Sequence, residues 1–119
     1  MKKGWPMRVG LDLDGLLDER PAFFALLTAA LRAGGHFVAV LTYRDPDSRE
    51  RAETQLAGWE IQYDELHFAR SLSDKGRLCR ELDLDVYFDD QDECIQDVGE
   101  RTTVFTVRTG GNFDLGEKR

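Results

Sequence analysis

Apolar residues in this chain come in short runs that break off into polar ones, and the stretches between them carry a helical period. Met7 to Leu13 reads M-R-V-G-L-D-L, a buried strand that ends in polar residues. Phe23, Leu26, Leu27, Ala30 and Leu31 recur at i, i+3, i+4, i+7 and i+8. That spacing predicts a helix over Glu19 to Ala33 with these five on its buried face, stopped by Gly34-Gly35. His36 to Leu41 (H-F-V-A-V-L) is almost continuously apolar, as a central parallel strand is. Asp45 is placed to cap a helix with Pro46 at its first position, running to about Ala57 and charged enough that much of it faces water. A short strand follows near Leu66 to Ala69, then a helix capped by Ser73 and reaching about Leu82. Val86-Tyr87-Phe88 is a strand that runs into Asp89-Asp90, Glu93 to Val98 a short helix, and Thr102 to Val107 a last strand. From about residue 108 the chain is rich in glycine and charge and is expected to be loose.

Strands alternating with helices predict an α/β domain, a parallel sheet with helices on both faces. A length of 119 residues fits one such domain, spanning 1–119. With 33% charged and 41% hydrophobic residues the composition is that of an ordinary globular protein. No apolar run approaches the roughly 20 residues of a membrane helix. The basic start, Met1 to Pro6, is not followed by an apolar signal core, so a cytoplasmic protein with no membrane partner is expected. A net charge of −7 disfavours broad nucleic-acid binding, although a local basic rim around a phosphate site escapes that argument. Cys79 and Cys94 form no C-x-x-C, and His36 and His67 have no ligand-spaced neighbours; all four read as structural.

In a parallel α/β sheet the ligand crevice lies beyond the carboxyl ends of the strands. The residues predicted there are Asp12-Leu13-Asp14-Gly15, Thr42-Tyr43-Arg44 and Asp89-Asp90, with Lys75 just inside a helix start. Four carboxylates at one edge repel one another unless a cation is present, and a hard divalent ion such as Mg²⁺ with oxygen ligands removes that cost. Asp12 and Asp14 are spaced to point the same way from a strand. Lys75 opposes the helix dipole, a poor choice for stability and a sensible one for meeting phosphate or the carboxylates.

These residues, in this order, resemble the four motifs of the haloacid-dehalogenase (HAD) superfamily. The motifs are Val9-Gly10-Leu11-Asp12-Leu13-Asp14-Gly15, Val38-Ala39-Val40-Leu41-Thr42, Lys75, and Val86-Tyr87-Phe88-Asp89-Asp90. The run Tyr63 to Phe68 also looks like small nucleotidase-like members. The resemblance implies a three-layer α/β/α Rossmann-like domain of about five mainly parallel strands. It implies no cap, because Arg44 to Asp74 has room for only a helix and a strand and few residues separate Asp14 from the first helix. It further implies a Mg²⁺-dependent phosphomonoester hydrolase. Asp12 is then the nucleophile that forms an aspartyl-phosphate, and Asp14 the general acid and later the base. Asp12, the Asp14 backbone carbonyl, Asp90 and Asp89 hold or support the metal. Thr42 and Lys75 bind the phosphoryl group, with Tyr43 and Arg44 completing the substrate contacts.

An uncovered site suits a phosphorylated small molecule or a macromolecular phosphate ester, or one closed over by a second subunit of a homo-oligomer. Two other readings compete. A non-catalytic HAD-like module binding Mg²⁺ or a phosphorylated partner has no need of a second aspartate as an acid. A phosphoacceptor receiver domain has a similar pocket in a different order, with its lysine last, whereas Lys75 precedes Asp89-Asp90.

Overall fold

The computed structural model of the chain describes residues 6–108; Trp5, Phe113 and the tail beyond Arg108 lie outside them. Five strands, β1 (Arg8–Asp12), β2 (Phe37–Thr42), β3 (Glu65–Phe68), β4 (Val86–Asp89) and β5 (Thr103–Thr106), alternate with three helices, α1 (Pro21–Ala33), α2 (Arg49–Gly58) and α3 (Asp74–Glu81). The strands form one all-parallel sheet in the order β3-β2-β1-β4-β5. The chain steps outward from β1 to β3, then returns past its start to lay β4 on the other side of β1. The direction of travel reverses at the β1–β4 boundary, and the strand ends diverge there to leave a crevice.

Side-chain alternation divides the core between two faces. Val9, Leu11, Val38 and Val40 meet Phe24 of α1, Ala52 and Leu56 of α2, and Ile61. Ala39, Leu41 and Tyr87 face the other way, onto Leu78 and Cys79 of α3 and onto Leu84. Helices thus cover both faces, and among the described residues no further layer or cap stands over the strand ends. No helix of the described residues is long and apolar enough to cross a membrane.

Several local expectations change. α1 starts at Pro21, not Glu19, because proline fits the first helical position, where its missing N–H costs nothing. Its buried residues are Phe24 and Thr28, while Phe23 (55%) and Leu26 (69%) lie largely exposed, as does Ala30. The helix is rotated relative to its most apolar stripe, and Leu27 and Leu31 only partly cover the core. Thr28 tolerates burial because its hydroxyl donates to the Phe24 carbonyl (2.7 Å) and accepts from the Gln62 N–H (3.1 Å). Asp45 does cap, accepting from the Asp47 N–H, but the turn it opens, Pro46–Ser48, is a tight three-residue one before α2. Ser73 makes no capping bond. That work falls to Ser71, whose hydroxyl accepts from the Asp74 N–H, while the Asp74 carboxylate ties back to the Arg70 N–H in the preceding loop. The helix expected over Glu93 to Val98 is a single tight turn, Asp92–Ile95.

The inward and outward sides of these helices have different energetic weights. Leu56→Ala, at a fully buried site, is expected to cost about 2–5 kcal/mol. Leu26→Ser, on the stripe the sequence pattern would bury, is expected to change stability by less than about 0.5 kcal/mol. Urea unfolding of the two variants checks both; equal losses would put Leu26 in the core.

Candidate active site

β1 places Asp12 at its last position, on the face that α3 covers, and only 2% of the residue is exposed. Lys75, in the first turn of α3, is nearly as buried at 3%. Its ammonium donates to Asp12 Oδ1 and lies 3.5 Å from Asp89 Oδ2. Asp89, the last residue of β4, is fully buried. Its Oδ2 also accepts from the Tyr87 hydroxyl (2.5 Å), and its Oδ1 accepts from the Gln91 N–H (3.0 Å). The ammonium thus reaches both carboxylates.

Asp90 turns the other way, against the turn Leu13–Leu17 that follows β1. Gly15 sits there at φ 93°, in the left-handed region glycine favours. A Cβ at Gly15 would fall 2.4 Å from Asp90 Oδ2 and 2.6 Å from its Cγ. The absent side chain is what lets the Asp90 carboxylate nest beside β1. Asp90 Oδ1 is buried and has no hydrogen-bond partner, an expensive state for a carboxylate oxygen.

Asp12, Asp89 and Asp90 each bring a carboxylate oxygen to within 4.8 Å of the others. With all three ionised, three carboxylates against one ammonium leave two negative charges, the complement of one divalent cation. Burial pushes the Asp12 carboxyl up to about 8, with the Asp89 and Asp90 carboxylates adding to the rise and Lys75 opposing it. Asp90 is likewise raised, first by burial and then by Asp89. An oxygen-only donor set, an orphaned buried carboxylate oxygen and an uncompensated charge together fit a hard divalent ion.

Asp14 belongs to the same crevice but to a different environment. β1 stops at Asp12, so Asp14 lies in the turn and its side chain is half exposed. Arg44, just past the end of β2, grips it in a two-pronged pair, Nε to Oδ2 at 2.9 Å and Nη2 to Oδ1 at 2.7 Å. The Thr42 hydroxyl stands 3.5 Å from Oδ2. The Arg44 hydrogen bonds hold the Asp14 carboxyl below its usual range. Arg44 is itself steadied by Gln55 at 2.7 Å. The crevice, of about 190 Å³, is lined by Asp12, Asp14, Tyr43, Leu72, Lys75 and Gln91. Tyr43 stands about half exposed at its rim. Leu72, Gln91, Gln55 and Tyr87 were not singled out by the sequence. Of these only Tyr87 left a trace there, standing two residues before Asp89 and hence on its face of the strand.

The remaining candidates have structural roles. His36 Nδ1 accepts from the Met7 N–H (2.9 Å), and His67 pairs with Glu65 (2.7 Å). Burial pushes the Cys79 thiol up to about 12, so it stays a neutral core group.

Comparison with known proteins follows the same line. No curated protein matches the sequence. Among solved structures, a chain of the "Structure of Pnkp1/Rnl/Hen1 complex" superimposes with a TM-score of 0.62 at 20% identity, over 89% of this chain and 47% of that one. The likeness is one of fold, and this chain spans about half the length of that relative. The family model described as 5'-nucleotidase matches residues 33–112. That stretch holds Thr42, Lys75, Asp89 and Asp90 and stops short of Asp12 and Asp14, which the fold brings to meet them. The fold is HAD-like, and the chain belongs to the 5'-nucleotidase family.

Proposed function

We propose that this chain is a Mg²⁺-dependent phosphomonoester hydrolase working through an aspartyl-phosphate at Asp12. The observation that carries the reading is the buried set Asp12–Lys75–Asp89 with the unsatisfied Asp90 oxygen beside it, at the mouth of which stands a second aspartate, Asp14. Asp12, Asp90 and the Asp14 backbone carbonyl would hold the ion, with Asp89 behind them, and the ion would supply Lewis-acid stabilisation of phosphoryl charge. Lys75 and the Thr42 hydroxyl would bind phosphoryl oxygens, and Lys75 would keep Asp12 oriented. The Asp12 carboxylate attacks phosphorus as the ester P–O bond breaks, and Asp14 gives its proton to the departing oxygen. Asp14 then takes a proton from water, whose oxygen attacks phosphorus and releases Asp12 and inorganic phosphate. Arg44 would have to yield Asp14 for this, and an incoming phosphoryl group is the natural competitor for its guanidinium.

The crevice takes in a phosphoryl group and leaves the rest of the substrate outside, near Tyr43. A phosphorylated small molecule, with a nucleotide as the family's example, or the end of a larger phosphate ester suits it. The alternative, a module that binds Mg²⁺ or a phosphorylated partner without turnover, draws on the Arg44–Asp14 pair, which holds the acid in its ionised form. We place the protein in the cytoplasm, as its sequence suggests.

Hydrolysis of an aryl phosphate decides between them. Wild type is expected to turn over only with Mg²⁺, and Asp12→Asn to fall to background. Asp14→Asn should lose about 10²–10⁴-fold in kcat, and Lys75→Met about 10²–10³-fold. Wild-type activity no higher than that of Asp12→Asn would leave the binding module. A separate test addresses the ion. Asp90→Asn removes a carboxylate that has one buried, unpartnered oxygen and a like charge beside it, so the metal-free variant is expected to be more stable than wild type by about 1 kcal/mol, roughly 4 °C. Mg²⁺ should raise the melting temperature of wild type and leave that of Asp90→Asn unmoved. Calorimetry with and without Mg²⁺ reads both; a variant less stable than wild type and still responsive to Mg²⁺ would remove Asp90 from the metal set.

A further inference from the structure

Tyr87 is fully buried in the layer between the sheet and α3. Packing accounts for its ring, since a phenylalanine would fill the same volume, but it does not account for the hydroxyl. A buried hydroxyl is costly unless it finds a partner. This one donates to Asp89 Oδ2 at 2.5 Å. The neighbouring strand makes room for it. Gly10, its register partner on β1, has no side chain; a Cβ there would stand 3.0 Å from Tyr87 Cδ1 and 2.5 Å from Leu84 Cδ1. Gly10 lies two residues before Asp12 on the same face, so the ring passes directly beneath the crevice.

Asp89 and Asp90 are adjacent residues with the same chemistry, yet the structure treats them differently. Asp89 has both oxygens engaged, Oδ2 by Tyr87 and Lys75 and Oδ1 by the Gln91 N–H. Asp90 has a buried oxygen with none. We propose that Tyr87 is a positioning residue that assigns these two carboxylates to separate tasks, holding Asp89 on Lys75 and leaving Asp90 for the cation. The inference rests on the hydrolase reading above and deepens it. Without the hydroxyl, Asp89 Oδ2 keeps only the 3.5 Å contact to Lys75, and it can shift either to draw Lys75 away from Asp12 or to compete with Asp90 for the ion. Burial and the nearby Asp89 carboxylate keep the phenol well above its ordinary range, so it remains a donor at any working pH.

The test is Tyr87→Phe in the full chain, alone and combined with Asp89→Asn, with aryl phosphate and Mg²⁺. The single variant is expected to lose at least fivefold in kcat with KM within twofold of wild type. In the Asp89→Asn background it should cause no further loss, because the hydroxyl acts through that carboxylate. A kcat within twofold of wild type, or a loss of equal size in both backgrounds, overturns the proposal. A second readout needs no turnover. In metal-free protein the Asp89 ¹³Cγ and Lys75 ¹⁵Nζ resonances should shift in Tyr87→Phe while remote amide signals stay in place; two unmoved resonances would also overturn it. Wild type without turnover would defeat the hydrolase reading, and the resonances would then decide the role of Tyr87 by themselves.

Discussion

The ammonium of Lys75, buried between Asp12 and Asp89, is the contact on which the site depends. A lysine loses much hydration on burial, and only close anionic partners return it. Here the partners come from the ends of two adjacent strands, β1 and β4, and the lysine from the first turn of α3. The pair therefore ties α3 to the sheet at the place where the strands diverge. It also leaves a debt of charge, since one cation faces three carboxylates. A divalent ion would offset that imbalance, which is what the proposed function assigns to the crevice.

Within a few ångströms the same crevice holds carboxylates in opposite electrostatic conditions. Asp12 is buried among like charges and rides high, while Asp14 is gripped by a guanidinium and rides low. Neighbouring acids with separated affinities for a proton are what a two-step transfer of a phosphoryl group asks for. The order is the reverse of a simple acid's requirement at Asp14, and the Arg44 contact is the reason. On the proposed reading, substrate binding and the freeing of Asp14 would be coupled through one arginine side chain, which cannot hold two anions as tightly as one.

Much of this was readable from the sequence where polar residues interrupt apolar runs. Asp12, Thr42 and Asp89 are conspicuous because each closes a hydrophobic strand, and the topology then carries them to one edge. Lys75 stood out because it sits against the helix dipole. Packing choices between near-equivalent surfaces were not readable. α1 offers two apolar stripes, and hydrophobicity favours Phe23, Leu26 and Ala30. The structure buries Phe24 and Thr28 instead, since Thr28 satisfies its hydroxyl locally and thereby counts as an apolar residue. Nor does spacing reveal that Arg44 and Asp14, each expected to serve a substrate, occupy each other. Ser73 shows a similar limit: it stands directly before the helix, yet the local turn gives the capping bond to the more distant Ser71.

The return of the chain to β1 also governs when the site comes into being. The β1–β4 ladder joins Val9 to Val86 and closes the longest loop in the sheet, whereas β1, β2 and β3 pair through much shorter ones. Closing a long loop is paid for in chain entropy before its contacts reward it. An intermediate with only the first three strands docked would hold Asp12 and Thr42 but not Asp89 or Asp90, which arrive with β4. On the proposed reading, metal affinity would appear with the last long-range pairing, an ion would report the finished fold, and partly folded chains would remain chemically silent.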